Sequence, residues 1–353
     1  MTNKIKNTLI IDLDNTLTVD DSSVDYAKKL LNKSISHAIN NAISLGYEST
    51  IFSARNMRSF KGDLHKIESI TRPIAEKWLN DNDIKYNDLI LGKPWCGLDG
   101  WYLDDKNISI EEFIFKFSGP YWDKTINILI PFFNEENNIK KTHEAHKRVE
   151  KFFNVTGYVY VNNGSSDNTL EILEEIASLD KKITIVSIKS NIGYGNGLKE
   201  GLMKTSSDMV LINHADLQFD PYAFFYSNLE AITSLEKPTN IFSNRLNRKK
   251  SERINSSILR VILSLIYFNK ISDFNGQPKL IFKNTIKEIK HLSNNFCIDL
   301  DLYNKCRLDS ILLPIIQKER FSGESSWNKN IFKRIKIFSE YISHALKDRN
   351  NHK

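Results

Sequence analysis

The feature that most restricts the fold is a recurring one: a short apolar run that stops abruptly at polar residues. It is clearest at Met209–Ile212, which runs into Asn213-His214-Ala215-Asp216-Leu217-Gln218-Phe219-Asp220-Pro221. A buried parallel strand ends this way at the rim of a sheet, where open α/β folds bind ligands. If the extended backbone continues past Ile212, His214, Asp216 and Gln218 project to one side, because strand side chains alternate. A carboxylate between two neutral ligands suits a hard divalent cation that already holds a diphosphate.

The same pattern occurs four times in the first third of the chain. Thr8–Leu13 runs into Asp12-Leu13-Asp14-Asn15-Thr16, and Thr50–Phe52 into Ser53-Ala54-Arg55. Leu89–Leu91 runs into Gly92-Lys93-Pro94, and Trp101–Leu103 into Asp104-Asp105. Helical stretches lie between, at Val19–Tyr47 and Pro73–Asn80. This predicts a doubly wound parallel sheet with its site along one edge. Two aspartates two residues apart can share one metal and still do different work. One attacks phosphorus, and the other passes protons. The short spacing between motifs leaves little room for a cap, so the site is open to a bulky substrate. Arg55 and Trp95 fall near it.

These motifs resemble the haloacid dehalogenase (HAD) phosphatases. IFSARNM with GKPWCGLDGWYLDDK is similar to the small phosphatases of capsule biosynthesis. The resemblance implies that Asp12 is the nucleophile and Asp14 the general acid/base. Ser53 and Lys93 hold the phosphoryl group, and Asp104 with Asp105 completes a Mg²⁺ site with Asp12 and Asp14. The implied substrate is a phosphorylated sugar or related phosphomonoester.

Phe117-Ser118-Gly119-Pro120 is turn chemistry after the last of these motifs, which places a boundary near Ser118 and divides the chain into residues 1–118 and 119–353. A length of 353 residues also favours two domains. Four more strands are expected at Thr125–Ile130, Tyr158–Val161, Ile183–Ile188 and Met209–Ile212, with a helix over Glu136–Phe153. Their exits read PFFNEENNI, VNNGSSDNT, NIGYGNGLKEG and HADLQFDP, followed by DFNGQPKLIF. β-α alternation again predicts an α/β sheet.

In this order the motifs resemble family 2 glycosyltransferases of the GT-A fold, in the branch that includes dolichol-phosphate-mannose synthase. The resemblance implies a nucleotide-sugar donor, a divalent metal and inversion at the anomeric carbon. By motif, Pro131, Glu135, Asn162, Asn163 and Asp167 line the nucleotide pocket. Gly193 and Gly195 allow close approach to ribose and phosphates. Asp216 anchors the metal, with Gln218 and His214 as further candidate ligands. Gln277, Lys279 and Arg320 lie on the acceptor side. Asp299 matches the position of a candidate base, with Asp301 as the alternative. Asn162 and Asn163 stand where the branch has aspartates, which leaves the base open. His214 replaces an aspartate, so Mn²⁺ stands beside Mg²⁺. A sugar nucleotidyltransferase needs a Gly-rich, Arg-bearing loop where PFFNEE stands.

Arg245–Arg260 is basic and precedes an apolar helix over Ser257–Phe268. Ile331–Leu346 has apolar residues at helical spacing. The basic stretch is read either as a solvated loop beside a core helix or as a contact with phosphate or membrane, and Ile331–Leu346 either as a core helix or as a membrane-surface helix; the expected acceptor is a glycan or lipid-linked one. A net charge of +6 favours anionic substrates or an acidic membrane surface, without indicating nucleic acid. Cys96, Cys297 and Cys306 lack metal spacing and read as reduced thiols. With no signal peptide and no spanning segment, the expected place is the cytoplasm, with peripheral contact at the inner face of the membrane. The combined expectation is a bifunctional enzyme of surface-polysaccharide assembly. The alternatives are one active domain with the other as a binding scaffold, or a polyprenyl-phosphate glycosyltransferase at the membrane surface.

Overall fold

A computed structural model of the chain describes residues 7–19, 24–97, 102, 106–248, 250–286, 289–318 and 331–351. It divides into two compact units, Met1–Trp122 and Asp123–Lys353. The division falls four residues beyond the expected boundary. The helix Ile110–Ser118 is closed by Gly119, and the buried Tyr121 anchors the residues that follow.

The first unit holds a parallel sheet of β1 (Thr8–Ile11), β2 (Glu48–Ser53) and β3 (Asp88–Leu91), in that spatial order. Each strand is the neighbour of the next, so the sheet steps in one direction. Right-handed crossovers then put both connections on the same face. Burial follows this rule. Ile11, Ile51, Leu89 and Leu91 are buried with Ala38 and Ile39 of the helix Lys33–Ser44 and Ala75 and Leu79 of the helix Arg72–Asp81. Ile10 and Ile90, on the other face, are exposed. The three described strands therefore wind in one direction. The strand expected at Trp101–Leu103 lies outside the described residues except for Tyr102, which is not in a strand.

The second unit is built on a seven-stranded sheet in the order β10-β8-β9-β7-β4-β5-β6. Its strands are β4 (Thr125–Phe132), β5 (Asn154–Asn163), β6 (Ile183–Ile188), β7 (Met209–Ile212), β8 (Asn240–Arg245), β9 (Lys279–Phe282) and β10 (Ser310–Ile315). All four residues of β7 are buried, as expected of a strand covered on both faces. From β4 the chain steps outward through β5 and β6, then returns to lay β7 on the opposite side of β4. That reversal is a topological switch point, and the crevice beyond the carboxyl ends of β4 and β7 is the expected ligand position. β9 runs antiparallel to β7 and pairs Lys279 with Ile212. The start of β9 is thereby delivered to the same edge.

The basic segment is helical from Lys250 on, and Leu246–Arg248 before it is non-helical. The helix Lys250–Tyr267 begins seven residues before the expected Ser257. Lys, Arg and Glu are good helix formers, so the polar residues extend the apolar run. The last helix spans Ile331–Asn351. Tyr341 and Ala345 join the buried core of the second unit with Leu259 and Leu263 of the helix Lys250–Tyr267. Core packing therefore accounts for that face of the last helix.

Candidate active sites

In the first unit, β1 ends one residue before Asp12, and the chain turns through Leu13–Leu17 with Asn15 at φ +61°. That turn points both aspartates at the ends of the neighbouring strands. Lys93 Nζ lies 3.0 Å from Asp12 Oδ1. Arg55 Nε donates to both oxygens of Asp14, at 3.0 Å each, and Lys29 Nζ stands 4.0 Å away. Ser53 ends β2 fully buried. Its Oγ accepts from Arg55 N at 3.1 Å, and its carbonyl accepts from Lys93 N at 3.1 Å. Burial raises the Asp12 carboxyl above its usual range, against the opposing pull of Lys93. Lys93 in turn lies over the Tyr102 ring at 4.3 Å.

Asp12, Asp14, Ser53 and Lys93 are thus gathered at one edge, with three cations around two carboxylates. Asp104 and Asp105 lie outside the described residues. Among the described residues no cluster of three or more His, Cys, Asp or Glu side chains forms a metal site. The described part supplies two acidic groups for a hard cation. Arg55, 2% exposed and stacked over Tyr26 at 4.6 Å, is built into the site more firmly than its position beside Ser53 indicates.

In the second unit the segment after β7 does not continue extended. Asp216 Oδ1 accepts from Gln218 N at 3.1 Å, and Leu217 takes φ +56°. This Asx-type turn breaks the expected alternation. Asp216 is buried, while the Gln218 amide turns to the Lys318 carbonyl at 3.5 Å. Gln218 therefore does not share a face with Asp216 as expected. His214 Nε2 lies 3.4 Å from the Tyr194 hydroxyl, and Phe296 stacks on the Tyr194 ring at 5.5 Å between centroids.

The Tyr194 phenol also lies close to Asp299. Burial and the nearby Asp299 charge push its phenol well above the usual range, so it acts as a donor. Asp299 Oδ1 meets Lys279 Nζ at 2.5 Å, both groups being buried. Burial pushes the Lys279 ammonium below its usual range, against the pull of Asp299. With its amide nitrogen donating to the Ile212 carbonyl at 2.9 Å, Gln277 accepts from Lys279 Nζ at 2.9 Å. Arg245 and the buried Asp273 form a second, partly buried ion pair at 2.6 Å. Asp301 is oriented elsewhere. His344 Nε2 holds one oxygen at 2.5 Å, and Ser293 N donates to the other at 2.7 Å. Of the two aspartates, Asp299 is the one that joins Tyr194 and Lys279.

The expected nucleotide pocket is partly occupied by the chain's own contacts. Asn162 Oδ1 accepts from Ser165 N at 3.2 Å. Asn163 donates to the Gly193 carbonyl at 3.1 Å and accepts from Ile192 N at 3.4 Å. Asp167 accepts from Glu136 N and Thr169 N, and the Glu135 carboxylate from Asn138. Pro131 lies in β4, beside Val161 of β5. Gly193, at φ +88°, needs its glycine for backbone reasons. A Cβ on Gly195 would fall 2.5 Å from the carbonyls of Ser293 and Asn295. Gly195 thus permits close approach of the chain's own segment 293–295. Arg320 lies outside the described residues. Tyr194 was not singled out in the sequence, although it sits within NIGYGNGLKEG. The pairings of Asn213 described below had no local signal at all.

Residues 127–289 match the family model for glycosyl transferase family 2. The putative glycosyltransferase CsbB of Bacillus subtilis (strain 168) is 25% identical over 212 residues, covering 58% of this chain and 62% of that protein. The bactoprenol glucosyl transferase of Shigella phage SfX is 25% identical over 215 residues, covering 58% and 67%. A crystallised target protein from Vibrio cholerae is 40% identical, covers 31% of this chain and 87% of its own, and superposes with a TM-score of 0.30. The chain spans just under two thirds of the length of CsbB. Over residues 127–289, the second unit is similar to the glycosyl transferase family 2.

Proposed function

We propose that the second unit transfers a sugar from a nucleotide-sugar, with inversion, to a polyprenyl-phosphate acceptor at a membrane surface. The observation that carries this reading is the meeting of Asp216, His214, Tyr194, Asp299 and Lys279 beyond the ends of β7 and β9. A GT-A arrangement places the donor at this switch point. Asp216 would hold a Mg²⁺ or Mn²⁺ ion brought in with the diphosphate, since one carboxylate alone makes a weak cation site. That cation supplies charge neutralisation to the departing nucleoside diphosphate. In the transfer step an acceptor oxygen bonds to the anomeric carbon. The bond to the diphosphate breaks, and its electron pair leaves with the diphosphate oxygen.

One further observation favours a phosphate acceptor over a sugar hydroxyl. Asp299 is buried and committed to Lys279. A hydroxyl needs a base within reach to take its proton, whereas a phosphate arrives already ionised. The membrane reading draws on the helix Lys250–Tyr267. Its inner face enters the core, while Ile254, Ile258, Val261 and Leu265 are 49–68% exposed on the outer face. Arg253 lines the same surface groove as Ile254, Ile258 and Val261, which pairs a cation with apolar surface as anionic headgroups require. Among the described residues no helix is long and apolar enough to cross a membrane.

For the first unit we infer HAD-type phosphomonoester hydrolysis with Mg²⁺. Asp12 would attack phosphorus and Asp14 would protonate the leaving oxygen. Water would then cleave the aspartyl-phosphate, with Ser53, Lys93 and Arg55 around the phosphoryl site. Together the two reactions suit successive steps of capsule or other surface-polysaccharide synthesis. The test of the transferase is to incubate the full chain with a panel of nucleotide-sugars, Mn²⁺ and a short polyprenyl phosphate in detergent. Metal-dependent glycosyl phospholipid is expected. Transfer to a glycan but not to the lipid would overturn the acceptor.

A further inference from the structure

The turn that carries Asp216 is fastened from behind by a helix distant in sequence. Thr142 and His146 lie one turn apart on the helix Ile139–Lys147, and both are completely buried. Thr142 Oγ1 donates to the Ala215 carbonyl at 2.8 Å. His146 Nδ1 lies 2.6 Å from the Thr142 carbonyl, and its Nε2 lies 2.9 Å from Asn213 Nδ2. A carbonyl only accepts, so Nδ1 carries the proton and Nε2 accepts from the amide. The same Asn213 nitrogen donates to the Phe219 carbonyl at 3.1 Å and closes the turn across its base. Burial pushes the imidazole down to about 4, so it stays neutral in this role.

Resting on the transferase reading above, we propose that Thr142, His146 and Asn213 are positioning residues that set the Asn213–Phe219 turn, and with it Asp216, for metal-dependent donor binding. Three contacts hold the two ends and the middle of a turn whose Leu217 has an unfavourable positive φ. Without them the backbone can relax, and the Asp216 carboxylate leaves the position facing the diphosphate. All three side chains are completely buried. Their effect must therefore pass through Asp216.

The test uses the full chain and calorimetric binding of nucleoside diphosphates, with Mn²⁺ and with chelator. Thr142→Val removes the hydroxyl at nearly constant shape. Metal-dependent affinity should fall about tenfold, the scale of a lost buried hydrogen bond. Metal-free binding should be unchanged, and Thr142→Ser should restore the loss. In an Asp216→Ala background the remaining metal-free binding should be unaffected by Thr142→Val, whereas a merely structural role would lower it. Equal metal-dependent affinity in Thr142→Val and wild type would overturn the proposal, as would equal losses with and without metal. If His146→Phe fails to fold, the Thr142 pair still decides. Absence of nucleoside diphosphate binding in the wild type would instead overturn the transferase reading.

Discussion

The ion pair between Lys279 and Asp299 gives the most quantitative prediction. Lys279 is fully buried and Asp299 nearly so, and the charged atoms are 2.5 Å apart. Lys279→Met removes the cation at similar length and leaves a buried carboxylate with only its Tyr194 contact. Breaking one side of such a pair costs about 3–5 kcal/mol, because the remaining charge is uncompensated. In a unit of this size each kcal/mol lowers the melting temperature by about 2–4 °C. The second unit should therefore melt roughly 6–20 °C lower. Replacing both partners, as Lys279→Met with Asp299→Leu, should recover most of that stability, since an apolar pair avoids the desolvation cost. Transfer should stay lost in the double variant, because the polar edge of the site is gone. The assay is scanning calorimetry, following the transition that nucleoside diphosphate and Mn²⁺ shift. A loss below about 1 kcal/mol in Lys279→Met, or a double variant no more stable than the single, would refute this reasoning.

Three further outcomes are expected. His146 is held neutral with its value lowered from 6.5 to about 4, so the unfolded chain takes up the proton first as pH falls. Its contribution, about 3 kcal/mol, is present above pH 6.5 and lost between there and pH 4. Urea unfolding of His146→Gln should show that much less loss over the window, and an unaltered pH profile would contradict the assignment. Asp12→Asn should reduce Mg²⁺-dependent phosphate release by several orders of magnitude, with sugar transfer unchanged; full release would remove Asp12 as nucleophile. Ile258→Glu with Val261→Glu should abolish sedimentation with anionic liposomes at low salt while leaving nucleoside diphosphate binding intact. Retained sedimentation would place the membrane contact elsewhere.

What could be read from the sequence follows the physics of each feature. Ile183–Ile188 is a β-rich stretch and Met209–Ile212 a continuous apolar run, and their bounds in the fold are those expected. Lys250–Tyr267 was foreshortened because its first turns are polar, and a charged helix start has no hydrophobic period to mark it. The one-directional order of β1, β2 and β3 depends on neighbour choice, which strand patterns alone do not encode. At the candidate sites, Asp12, Asp14, Ser53 and Lys93 are gathered because each ends or follows a strand of one sheet. Gln218 departs from its expected place because Leu217 adopts a backbone conformation that leucine rarely takes. Lys279 with Asp299, and His146 with Asn213, are joined only by tertiary packing across twenty and 67 positions. Asp301 is the alternative to Asp299 in sequence, but two residues along a helix, about 200° around its axis, it faces His344 instead.

The central claim is that the turn after β7 holds the cation of a nucleotide-sugar complex. It is tested most directly by titrating nucleoside diphosphates into the wild type and Asp216→Ala, with Mg²⁺, Mn²⁺ and chelator, by calorimetry. Metal-dependent binding is expected in the wild type and should be lost in Asp216→Ala, with His214→Ala altering the preference between the two metals. Metal-dependent binding that survives in Asp216→Ala would contradict the account and place the cation on other residues.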